Sequence, residues 1–112
     1  MNAHTFIRDE EVDKALDYLR DNATAAAKAR ADRIYVEEYR KVIKATIMKE
    51  HDGKPAVVQE RDAYADQRYV DHLDAIRQAV EIDEKCRFLL AAANAKIEAW
   101  RTQSSNERAG RL

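Results

Sequence analysis

Apolar residues recur along the first half of this chain at steps of four and three. Val12, Leu16, Leu19, Ala23 and Ala26 follow that spacing, and it continues, shifted around the surface, through Ala31, Ile34, Tyr35, Tyr39, Val42, Ile43 and Ile47. This is the period of one helical face. No glycine or proline interrupts it before Gly53, so the pattern predicts one helix over about 10–50. Asp9 is expected to cap it, with Glu10, Glu11 and Asp13 suited to the positive end of the helix dipole.

The stretch "HDGKPAVVQERDAYADQ" (51–67) holds the single proline, Pro55, and one of the two glycines. "HDGK" reads as a turn in which Gly53 supplies a positive φ. Pro55 suits the first position of a short helix through Ala65, because its missing N–H has no intrahelical partner there. Asp66 then caps a second long helix over about 67–104. Along that helix Ala75, Ala79, Ile82, Cys86, Leu89, Ala93, Ile97 and Trp100 form one stripe, and Leu73, Ile76, Val80 and Leu90 form another beside it. Two stripes are wider than one partner helix can cover.

The predicted fold is therefore all-α, an antiparallel hairpin of two long helices with a short helix at the bend, in a single domain over 1–112. The ends, about 1–9 and 105–112, are expected to fray. Two helices cannot enclose both stripes, so the chain is expected to assemble into an oligomer. Ile82, Leu89, Ile97 and Trp100 are the candidate core and contact positions. The segment "ATAAAKARA" (23–31) favours helix but offers little apolar area, so a contact there is close and weak.

Composition adds limits. Charged residues make up 37% of the 112 residues, which suits long solvated helices more than a sheet protein. The near-neutral net charge of −1 and the regular apolar spacing argue against disorder in the body of the chain. No apolar run reaches membrane-spanning length, and the N-terminus lacks a basic-then-apolar signal pattern. The lone Cys86 forms no intramolecular disulfide and fits a reducing cytoplasm, where a buried structural thiol is the simpler role.

Charge is arranged in blocks. Residues 1–27 carry three basic and six acidic side chains, and 28–54 carry eight and five. Residues 55–84 carry three and eight, and 85–112 carry six and two. Two readings stay open. In a hairpin the blocks could neutralise each other. Alternatively Arg33, Arg40, Lys41, Lys44 and their neighbours, interleaved with Tyr35 and Tyr39, offer cations for phosphates and aromatic faces for bases, and Arg101 does the same beside Trp100.

Catalytic chemistry is not indicated. "DGKP" lacks the upstream glycine and the hydroxyl residue after lysine of a phosphate loop. His4, His51 and His72 show no metal-ligand spacing with Cys86, and His72 suits a partly exposed structural role. Asp83 and Glu84, adjacent on a helix, are expected to point in different directions. No metal, cofactor or catalytic residue is expected.

Two segments carry a family resemblance. Gln59, Glu60, Arg61, Ala63, Tyr64 and Ala65 after the turn, with Ile97, Glu98, Trp100 and Arg101 late in the second helix, resemble small helical phage proteins similar to the UvsY-type recombination mediators. "RKVIKATIMKE" (40–50) resembles the basic motif ending the first helix of such mediators, matched by Lys44 and Ala45; Thr46 stands where a basic residue is usual, and Pro55 where a small hydroxyl residue is. The resemblance covers roughly 25–108. It implies a non-enzymatic, ring-forming protein of the host cytoplasm that binds single-stranded DNA and helps a recombinase displace single-strand-binding protein. Lys44 would contact a phosphate, supplemented by Arg40 and Lys41. The alternative is a helical adaptor or scaffold acting only through protein contacts.

Overall fold

The computed structural model describes residues 6–110, and among them the chain forms three helices and no strand: α1 (Asp9–Glu50), α2 (Ala56–Ala65) and α3 (Gln67–Gly110). The all-α hairpin arrangement expected from the spacing is present, with α1 and α3 packed together and α2 at the bend. No helix among the described residues is long and apolar enough to cross a membrane.

Helix ends follow local chemistry, with two differences from the sequence reading. Arg8, not Asp9, occupies the N-cap of α1: its carbonyl accepts from the N–H groups of Glu11 and Val12. The Glu11 carboxylate reaches back to the Arg8 N–H at 3.2 Å, which is the carboxylate half of a capping box. Asp9 is thereby released for a longer-range contact described below. At the other end α3 continues through Gly110 instead of stopping near 104. Gln103 exchanges two hydrogen bonds of 2.9 Å with the backbone of Ile7, and in the last turn beyond it Arg108 suits the negative end of the dipole. Residues 1–5 and 111–112, the rest of the expected frayed ends, lie outside the described residues.

At the bend, Pro55 is the N-cap of α2 rather than its first residue, since its ψ of 146° is extended. Asp66 closes α2 and opens α3, its Oδ1 accepting the Arg68 N–H at 2.8 Å. Gly53 has a φ of +94°. No atom lies within 4 Å of the place a Cβ would take, so only backbone strain opposes a side chain there. Gly53→Ala is expected to cost about 1 kcal/mol, read as a shift in urea midpoint at constant m. A loss beyond about 2 kcal/mol would show that the turn does more than bend.

The chain divides into two compact units, one of residues Ala27–Glu84 and one from the described parts of Met1–Ala26 and Lys85–Leu112. In the first, Ile47 is fully buried against Ala63 of α2 and Tyr69 of α3, with Ile43 and Met48 around them. The second is built on Val12, Ala15 and Ala93.

Burial follows an alternation of three and four residues within each unit. In residues 27–84 it falls on Ala29, Arg33, Val36, Ile43 and Ile47 of α1, and on Tyr69, His72, Ile76, Ala79 and Asp83 of α3. In the other unit it falls on Val12, Ala15, Leu19, Asn22 and Ala26, and on Cys86, Leu90, Ala93, Ile97 and Trp100. This is the seam of an antiparallel helix pair. It corrects the two-stripe reading. The seam takes alternate members of both stripes, leaves Leu73, Ile82 and Leu89 exposed on its flanks, and admits the polar Asp83 and His72.

Candidate nucleic-acid interface

The short helix α2 lays the segment that carries the resemblance against the end of α1. Gln59 Nε2 donates to the Lys54 carbonyl at 2.9 Å, closing the turn, and Ala63 is buried. Glu60 and Tyr64, one turn apart, both hold Lys44: its Nζ donates to Glu60 Oε1 at 3.1 Å and to the Tyr64 hydroxyl at 2.9 Å. The ammonium also sits 4.6 Å from the centre of the Tyr64 ring, and Tyr64 packs edge-on to Tyr69. The Tyr64 hydroxyl, then Glu60, raises the Lys44 pKa, and Lys44 lowers that of Glu60. Lys44 is thus a charged pin between α1 and α2, and a phosphate would have to share it.

Arg33 is held more firmly. Its guanidinium donates to Glu37 at 3.0 Å, Asp83 at 3.2 Å and Glu84 at 2.8 Å, and the bonds to Glu84, Glu37 and Asp83 raise its pKa further. Asp83 and Glu84 do not point apart as expected. Both reach the same Arg33 nitrogen, Asp83 from the seam and the longer Glu84 from its edge. Asp83 is only 2% exposed, so Arg33 serves first as its counter-ion.

A third cation, Arg68, carries no signal in the spacing. It donates to both oxygens of Glu50 and to both of Asp66, so a forked guanidinium ties the end of α1 to the start of α3. Arg68 holds the Asp66 carboxyl down at about 2, through its side chain first and its N–H second. The Arg33 and Lys44 contacts pair the basic block 28–54 with the acidic block 55–84 inside one unit, whereas Arg68–Glu50 pairs the same blocks in the opposite sense. Lys54 and His51 also lie 3.8 Å from Asp62.

The remaining candidates are placed differently. Arg40 is exposed and has no ion pair among the described residues. Lys41 pairs only with Glu38 on its own helix, and Arg101 only with Glu98. Tyr35 and Tyr39 stack, with ring centres 5.8 Å apart and planes 22° apart, and Tyr35 is 66% exposed. His72 packs beside Tyr39 and meets the Val36 carbonyl through Nε2.

Of the expected core and contact positions, Ile82 and Leu89 are exposed, while Ile97 and Trp100 are half-buried on the seam. Trp100 Nε1 donates to the Asp9 carboxylate at 3.0 Å, the longer-range contact that Asp9 makes instead of capping α1. Cys86 is half-buried rather than fully enclosed.

The turn residues use their own N–H groups. His51 donates to Met48, Asp52 to Lys49, Gly53 to the Asp52 side chain and Lys54 to His51. Among the described residues, no group of three or more His, Cys, Asp or Glu side chains is placed to hold a metal ion. His4 lies outside them. No protein-family model matches this chain, and neither curated proteins nor solved structures include a match to it.

Proposed function

We propose that this chain is a non-enzymatic, self-associating helical protein that binds single-stranded DNA and assists recombinase loading, as UvsY-type mediators do. The observation that carries the reading is the exposed surface of α1. Tyr35 and Tyr39 offer a stacked aromatic face there, while Arg40, with no ion pair among the described residues, and Lys41, paired only on its own helix, stand further around the same stretch of helix rather than on the tyrosine face. Such a surface supplies charge for phosphates and π-faces for bases without base-edge geometry. Self-association is supported by the exposed apolar side chains, among them Ile34, Val42, Leu73, Ile82, Phe88 and Leu89, above a core composed largely of alanine. The recombinase, the single-strand-binding protein and the cytoplasmic setting follow from the resemblance alone.

A second reading, an adaptor or scaffold working through protein contacts only, is favoured by Arg33 and Lys44. Both are already engaged by carboxylates.

One titration separates the two: anisotropy of a labelled oligo-dT across salt concentrations, on protein whose mass is fixed by light scattering. The mediator reading expects an assembly larger than the 12.9 kDa chain and tight binding at low salt. Changing Arg40 and Lys41 to alanine is expected to flatten the log–log salt slope by about 0.7 for each phosphate that is no longer neutralised. Helicity is expected to survive, since alanine is a good helix former. Absence of binding by the parent protein at low salt would leave only the scaffold. A compact monomer would remove self-association.

A further inference from the structure

Away from the α1 surface just described, the unit formed from 6–26 and 85–110 has a groove of about 450 Å³ between the first turns of α1 and the middle of α3. Its floor is Ala15, Ala92 and Ala93, with Leu89 and Tyr18 as apolar and aromatic walls. Around it stand Arg8, Lys14 and Lys96 against a single acid, Glu11. Glu11 is already engaged, accepting from the Arg8 N–H and from its guanidinium at 3.4 Å. Lys14 and Lys96 form no ion pair among the described residues. Lys96 lies close enough for its field to favour the ionised Glu11.

The groove therefore has a net positive rim, two ammonium groups from different helices that form no ion pair, and a small-residue floor beside an aromatic ring. Its volume falls within the range of small-molecule sites. Because the floor is alanine, a flat group can lie against backbone-level surface while the long lysines reach over it.

We propose that this groove is a nucleotide subsite for single-stranded DNA, in which Lys14 and Lys96 bracket a backbone phosphate and an unpaired base lies against Tyr18 and Leu89. This rests on the DNA-binding reading and adds to it a second point of contact, on different residues from Arg40 and Lys41. A duplex cannot use the subsite in this way, since its bases are already stacked and paired.

The test uses the full chain and oligo-dT, with a duplex of equal length as competitor. Lys14→Ala with Lys96→Ala is expected to reduce the salt slope by up to roughly 1.4, from about 0.7 for each cation. Tyr18→Leu, which keeps apolar bulk, is expected to weaken oligo-dT binding about fivefold or more at fixed salt, the lower end of base–aromatic stacking. Duplex is expected to compete poorly. If the lysine pair changes nothing while Arg40→Ala with Lys41→Ala still weakens binding, the groove is overturned and the DNA-binding reading stands. If the lysine pair matters but Tyr18→Leu does not, the cations make phosphate contacts only and the base subsite falls. A parent protein that binds no oligo-dT at low salt overturns both. Circular dichroism of each variant guards against misfolding, and charge reversal at Lys14 and Lys96 provides a second pair that leaves the floor intact.

Discussion

Truncating Ile47 to alanine is expected to lower the unfolding free energy by about 2–4 kcal/mol, the usual cost of removing a buried isoleucine's methyl and methylene groups and leaving a cavity. Ile47 has no exposed surface and is the one large side chain so fully covered among the described residues. It joins α1 to Ala63 of α2 and Tyr69 of α3 at one point. The other buried apolar residues are Val12 and alanines, apart from Tyr69, so little packing elsewhere offsets the loss. The measurement is urea unfolding followed by circular dichroism, with Leu16→Ala, half-exposed on α1, as the control. A loss at Ile47 no larger than at Leu16 would show that the bend is not where the stability of this unit lies.

Arg33→Ala is expected to be more damaging than Asp83→Ala, although the two residues share one ion pair. Removing Asp83 leaves Arg33 with Glu37 and Glu84, both at least partly solvated. Removing Arg33 strands the buried Asp83, whose sole partner among the described residues it is. A buried carboxylate without a counter-ion costs on the order of 3 kcal/mol. The double change to alanine is therefore expected to be more stable than Arg33→Ala alone. Thermal unfolding of the three variants checks this. Equal losses for the two single variants would mean that Asp83 is solvated once its partner is gone.

The long helices are legible in the sequence because their period is a local property that survives without knowledge of the partner. The bend is legible for the same reason, since Gly53, Pro55 and Asp66 each act on their own backbone. What the apolar pattern misplaces is the seam. Hydrophobicity marks Ile82 and Leu89 as core or contact positions, and they lie exposed on the flank, while the geometry of the paired helices puts Asp83 and His72 on the seam itself. A polar residue on a seam becomes tolerable only when the opposite helix brings its partner, and nothing in the sequence around Asp83 announces Arg33. The Arg68 clamp is hidden likewise, because Glu50 approaches it only after the chain has turned. Of the cations read as a phosphate-binding set, composition identifies the residues but not which of them are already held by carboxylates.

The small cluster of Ile47, Ala63 and Tyr69 has a temporal meaning as well as a packing one. All three lie between positions 47 and 69, so the chain can bring them together by closing a short loop, whereas Ile7 and Gln103 are 96 residues apart in sequence. The entropy of closing a loop rises with its length, and early contacts are favoured where separation is small. Folding is then expected to begin at the turn, with Arg68 and Glu50 locking it, and to zip outward along the helices. The contacts nearest the chain ends form last and open first. The unit holding Lys14 and Lys96 would thus be the part of the molecule that loosens most readily.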